Sequence, residues 1–124
     1  MRIEQLCLRN FRNLRHVDLS CRQTRCIVLQ GDNAQGKTNV LEAMYMVATG
    51  RSFRLAPTEQ MVGRDGVAAR IEATIERDAV RHQVDVVLNG KSRRLEVDGR
   101  ALTRATKLLE MVNMVAFFPD DLRL

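Results

Sequence analysis

The chain of 124 residues has no tryptophan, and its only aromatics are four Phe and one Tyr. So few rings leave little for a base-stacking platform, and Tyr45 and the phenylalanines read as core. No apolar run approaches the ~18 residues that a membrane-spanning helix needs. A 45% hydrophobic share is that of a soluble globular chain, long enough for one domain with a modest core. The three cysteines, Cys7, Cys21 and Cys26, are odd in number and lack C-x-x-C spacing. They read as reduced thiols rather than a disulfide or metal site. Residues 1–25 carry charge throughout, which is not the pattern of a secretory leader. His16 and His82 lie far apart with no ligand-spaced acid or cysteine, so neither is expected to bind metal or to catalyse. Internal repeats and low-complexity segments are absent too. Twenty Lys and Arg against fifteen Asp and Glu give a net charge of +5. That permits contact with a polyanion without specifying one.

Against this plain background one stretch stands out: Gly31-Asp32-Asn33-Ala34-Gln35-Gly36-Lys37-Thr38. It has the G-x-x-x-x-G-K-[ST] spacing of a phosphate-binding P-loop. Gly31 and Gly36 let the backbone turn sharply and approach an anion closely. Successive N–H groups then form a nest for phosphates. Lys37 reaches the β- and γ-phosphates, and the Thr38 hydroxyl can ligate Mg²⁺. The context agrees. Cys26-Ile27-Val28-Leu29 reads as a strand buried on both faces and running into the loop. After Thr38, Val40, Met44, Val47 and Ala48 fall at helical spacing, widened by Leu41 and Ala43, with Gly50 as C-cap glycine.

The flanking segments are mostly strands. Residues 1–9 alternate, Asn10-Phe11-Arg12-Asn13 reads as a turn, and Leu14, Val17 and Leu19 suggest a returning strand. Residues 20–25 form a loop. Pro57 follows the helix, and residues 58–62 suggest a helical turn with Thr58 as N-cap. From Ala69 the period becomes two, through Ile71, Ala73 and Ile75, then Val80 to Leu88 after a turn at Asp78. Asn89-Gly90 predicts a type I′ hairpin and Asp98-Gly99 another tight turn. Residues 67–100 are thus an antiparallel meander. A helix is predicted over residues 103–112, then an apolar run over 114–118, broken by Pro119.

Hydrolysis needs more than a P-loop: an acidic Mg²⁺ ligand and a group orienting water. Asp120, after Val115-Ala116-Phe117-Phe118, is the one candidate, but Pro119 intervenes and a turn with solvated acids is the preferred reading. The nucleotide site reads as half-built.

Four segments carry a family resemblance: Leu8-Arg9-Asn10-Phe11-Arg12-Asn13-Leu14, the P-loop continuing as Thr38-Asn39-Val40-Leu41-Glu42-Ala43-Met44-Tyr45, then Ala48-Thr49-Gly50-Arg51-Ser52-Phe53-Arg54, and Phe117-Phe118-Pro119-Asp120-Asp121-Leu122. In this order they resemble the amino-terminal part of the RecF family of bacterial recombination mediators, within the wider group of SMC-like heads. The resemblance spans the whole chain but only about a third of such a protein. It implies an α/β fold with an α+β mix: a P-loop NTPase, a partial ABC-type ATPase head with an antiparallel β-meander subdomain. Residues 1–50 would hold strands, P-loop and helix, and the rest of the head and its arm domain would be absent. It implies ATP and Mg²⁺ as cofactors, bound by Gly31 to Asn39 with Thr38 on the metal and Arg12 near the nucleotide. It further implies single-stranded or gapped DNA, the RecO and RecR mediators and, indirectly, RecA as partners. Related proteins act in replication, repair and the SOS response, form an ATP-dependent homodimer when complete, work in the cytoplasm and do not engage membranes. The family's signature motif, Walker B acids and switch histidine have no counterpart here, so this chain is expected to bind nucleotide at most. Arg51 and Arg54, and the hairpin residues Lys91, Arg93, Arg94 and Arg100, are candidates for DNA contact or for solvated edges. Two other readings compete: a small P-loop phosphotransferase, and a DNA-binding module with a vestigial P-loop.

Overall fold

The computed structural model describes residues 1–32, 36–64 and 66–117. Its frame is one antiparallel sheet of six strands. These are β1 (Arg2–Phe11), β2 (Leu14–Ser20), β3 (Ala68–Arg77), β4 (Val80–Asn89), β5 (Ser92–Val97) and β6 (Arg100–Ala101), in the spatial order β2-β1-β3-β4-β5-β6. The meander therefore shares its sheet with the amino-terminal hairpin. The period of two explains the register: Leu6, Leu8, Ile71, Ala73, Val84, Val86 and Leu95 all lie on one face and are buried. Three helices pack on that face: α1 (Lys37–Thr49), α2 (Thr58–Met61) and α3 (Thr106–Met111). Helix α1 supplies Val40, Ala43, Met46 and Val47 to the core, α2 supplies Met61 and α3 supplies Leu108.

The opposite face is polar and banded. Asp18, Cys7, Glu72, Asp85 and Glu96 align in one cross-strand row, and His16, Arg9, Arg70, Val87 and Arg94 in the next. Adjacent rows neutralise each other, as Arg70 does with Glu72 at 2.8 Å and Arg94 with Glu96 at 2.5 Å.

Several expectations are corrected. The segment Cys26–Leu29 is not a strand; it joins no ladder among the described residues, and Ile27 and Val28 are 45% and 71% exposed. A strand buried on both faces needs neighbours on both edges, and every pairing described in this sheet is antiparallel and already filled by other segments. The first strand reaches Phe11, two residues past the predicted end, because Phe11 pairs with Leu14 and bridges to Val62. Thr58 does not cap α2; Pro57 occupies that position and the Thr58 hydroxyl accepts from Arg93 Nη2 at 3.3 Å. The β4–β5 loop is Gly90-Lys91, since Asn89 still pairs with Ser92, and only Gly90 has positive φ (59°). A type I′ turn needs two such residues. Asp98-Gly99 has both, with φ of 52° and 79°. Helix α3 starts three residues later than predicted, at Thr106. Phe118, Pro119, Asp120, Asp121 and Leu122 lie outside the described residues.

Candidate nucleotide site

Helix α1 begins at Lys37, directly after Gly36, which adopts φ 98°. That left-handed conformation suits glycine, and a Cβ here would lie 2.6 Å from Leu14 Cδ2 and 3.2 Å from Asn13 Oδ1. The helix start carries no side-chain cap and no acid in its first turn. Its first amide donors and the positive end of the helix dipole are therefore available to an anion. The Lys37 ammonium donates to the Gly31 carbonyl, so a charge at the helix start spans back to the loop's entry. Thr38 is exposed on the first turn. Asp32 is exposed before the loop, while Asn33, Ala34 and Gln35 lie outside the described residues.

These features suit a polyphosphate: an uncapped helix start, a close glycine, and a lysine on the loop mouth. They suit Mg²⁺ more modestly. Among the described residues no cluster of three or more His, Cys, Asp or Glu could hold a metal ion. The Thr38 hydroxyl is a fitting single oxygen ligand, and Mg²⁺ bound with phosphates commonly takes one or two protein ligands and water.

Beside Gly36 opens a polar pocket of 740 Å³ lined by Asn10, Arg12, Asn13, Arg15, Gln60, Val62 and Arg64. Asn13 joins it to the loop. The Asn39 Nδ2 group donates to Asn13 Oδ1 at 2.7 Å, and Arg54 Nη1 donates to Asn39 Oδ1 at 2.9 Å. Asn39 therefore ties the hairpin turn to the segment after α1. On the other side of α1, Leu6, Leu19, Val28, Val40 and Met44 line an apolar groove of 570 Å³.

Sequence reasoning placed Arg12 near this site but missed what holds it. Glu42, on the second turn of α1, is fully buried. Arg12 grips it with two bonds, Nε to Oε1 at 2.5 Å and Nη2 to Oε2 at 3.1 Å. The Ser52 hydroxyl donates to Oε2 at 2.6 Å, and Arg54 Nη1 lies 3.5 Å from Oε1. An acid amid the apolar residues of α1 was the available signal: such a carboxylate is retained inside only when paired. Arg12 itself sits at φ 51°, in the left-handed region, with its N–H on the Met61 carbonyl at 2.8 Å. For a non-glycine residue this costs ~1–2 kcal/mol, and such strain tends to collect at functional sites.

The other candidates are dispersed. Arg51 and Arg54 are exposed at the end of α1, and Arg54 also lies over the Phe53 ring. Lys91, Arg94 and Arg100 are exposed on the hairpin edge. Arg93 is not with them: it turns to the helical face and donates to the Gly50 carbonyl at 2.9 Å. Tyr45 stacks edge-on against Phe53 at 5.7 Å. His16 is exposed. His82 does have an acidic partner, Asp98, whose Oδ2 lies 2.8 Å from Nδ1 across the β4–β5 hairpin.

No family model matches the chain. Curated relatives do. It is 41% identical over 125 residues to the DNA replication and repair protein RecF of Synechococcus sp. (strain JA-2-3B'a(2-13)), covering 100% of this chain and 33% of that protein. It is 34% identical over 122 residues to the RecF of Geobacter sp. (strain M21), covering 98% and 33%. The chain thus spans about a third of the length of the curated relatives it matches. Among solved structures, the recombination mediator RecF with ATP aligns with a TM-score of 0.85 at 26% identity, over 97% of this chain and 33% of that one. An SMC ATPase structure aligns over 100% of this chain and 85% of its own with a TM-score of 0.72, and at 17% identity it speaks for the fold alone. In sequence this chain is thus similar to about a third of RecF proteins, and its fold is that of part of an ATPase head of the RecF and SMC kind.

Proposed function

We propose that this chain is the nucleotide-binding portion of a RecF-type DNA repair protein. The observation that carries the reading is the start of α1, where Lys37 spans back to Gly31 over an uncapped, acid-free helix end. The triphosphate would lie on the loop from Gly31 to Thr38 with Mg²⁺ on the Thr38 hydroxyl. The adjoining pocket, with Arg12, Arg15 and Arg64 and no acid, would receive the rest of the nucleotide. Bound Mg²⁺ neutralises phosphate charge; the chain's own residues bind and orient. In the complete protein this site would serve ATP-dependent dimerisation, binding of gapped or single-stranded DNA, and work with RecO and RecR toward RecA loading in replication, repair and the SOS response. The exposed Arg51, Lys91 and Arg100 are the DNA-contact candidates that make no ion pair with an acid among the described residues. No helix among the described residues is long and apolar enough to cross a membrane, and a cytoplasmic setting suits a DNA-associated protein. A lid-bearing phosphotransferase is disfavoured because a β-meander follows the helix.

The test is Mg·ATP titration into the full chain by calorimetry, beside Lys37→Ala. Binding by the wild type that weakens at least tenfold in the variant, a loss of about 1.4 kcal/mol, supports the reading. Equal binding by both would overturn it. Salt-sensitive DNA binding indifferent to ATP and to Lys37→Ala would favour the vestigial P-loop instead.

A further inference from the structure

We infer that Glu42 is a positioning residue for the nucleotide site, whose buried carboxylate fixes the Arg12 guanidinium at the rim between the P-loop helix and the arginine-lined pocket. The inference rests on the nucleotide reading above. Three observations carry it. Glu42 is fully buried, where an unpaired carboxylate would be strongly disfavoured. Both of its oxygens accept from Arg12 in the planar two-bond geometry that orients a guanidinium rather than merely attracting it. Ser52, also buried, donates to Oε2 and so prevents the carboxylate from rotating.

The geometry has a further effect on charge. One carboxylate faces two guanidiniums, Arg12 and Arg54, leaving the cluster one positive charge in excess. Arg12 lines the pocket beside Gly36, so the excess lies where an anionic ligand would enter. Arg12 occupies a strained backbone position in a turn and would not hold its side chain there unaided. Glu42 stands on the rigid helix that also carries Lys37 and Thr38. The carboxylate therefore keeps the pocket arginine in register with the phosphate-binding end of that helix.

The experiment is a double-mutant cycle on the full chain, with Glu42→Gln, Arg12→Gln and their combination. Mg·ATP affinity would be read by calorimetry well below each variant's melting temperature. Each single change should weaken ATP about tenfold, and the double variant should be no weaker than either. A matching spectroscopic readout is the Arg12 Nε–H signal, slow to exchange in the wild type and lost to solvent in Glu42→Gln. Wild-type ATP affinity in Glu42→Gln, or losses that multiply in the double variant, would overturn the inference and leave the nucleotide reading standing. Should Glu42→Gln not fold, Ser52→Ala enters the cycle with Arg12→Gln, with an expected loss of about threefold that again vanishes in the Arg12→Gln background; a loss that persists there would overturn the inference. A wild type that binds no ATP would overturn both.

Discussion

At the scale of single residues, two acids show how differently a carboxylate can be held. Glu42 is enclosed and clamped from three sides, whereas Asp98 is half-exposed at a turn. Asp98 nevertheless has its carboxyl held below the usual carboxylate range, first by the hydrogen bond from His82 and then by the Gln83 amide at 2.9 Å. A lowered acid contributes stability that is fully present above its unfolded value, near pH ~4, and is lost as pH falls through the lower folded value. Between pH 5 and pH 3 the wild type should therefore lose more melting temperature than Asp98→Asn does. Parallel losses in the two proteins would show that the pair is too solvated to matter. The histidine's partner was hidden in the sequence because sixteen positions separate them, and the hairpin, which sets Asp98 against Gln83, brings it within reach of the neighbouring His82. Arg12 was the reverse case: a turn arginine could be singled out through resemblance, while the acid that holds it, thirty positions away, was marked only as a charge amid the apolar residues of α1.

At the scale of elements, legibility followed the period. The two-residue alternation of Ala69 to Leu88 and the helical stripe after Thr38 each predicted an element that the structure contains, because each pattern needs only one neighbour layer to be satisfied. The apolar run Cys26–Leu29 carried no such information. It says that burial would be favourable, not that a ladder partner is within reach, and the described residues provide none. Turn chemistry was likewise legible only in part. Asp78 and Ala79 both take positive φ, 53° and 63°, between paired Arg77 and Val80. An alanine in the left-handed region is strained where a glycine is not. Ala79→Gly should raise stability by about 1 kcal/mol, or ~4 °C in melting temperature for a domain of this size. A lower melting temperature would mean that the greater freedom of the unfolded glycine chain outweighs the relieved strain.

At the scale of the whole molecule, the two sides of the sheet have opposite characters. The banded outer face neutralises its own charge. The helical side does not conceal its apolar residues as completely: Val28 is 71% exposed, Leu41 53%, Val115 86% and Phe117 78%, all along the flanks of α1. Apolar exposure of this kind favours association. In a concentration series followed by light scattering, the wild type should self-associate, and Val28→Ser with Phe117→Ser should shift the onset several-fold higher. A wild type that stays monomeric at all concentrations would contradict this. The same scale explains why the resemblance was readable. Three of the four segments that carry it, around Asn13, along α1, and from Gly50 to Arg54, are far apart in the chain yet meet at Glu42 and Asn39. Of the fourth, only Phe117 lies within the described residues.

The bond from Lys37 to the Gly31 carbonyl has one more consequence. That bond uses one of the ammonium's three N–H donors and leaves two for a ligand. A chain of phosphates is long enough to meet those donors and the helix-end amides together, which a single small anion is not. The internal bond therefore acts as a brace, setting the lysine over the loop's entry ahead of any ligand.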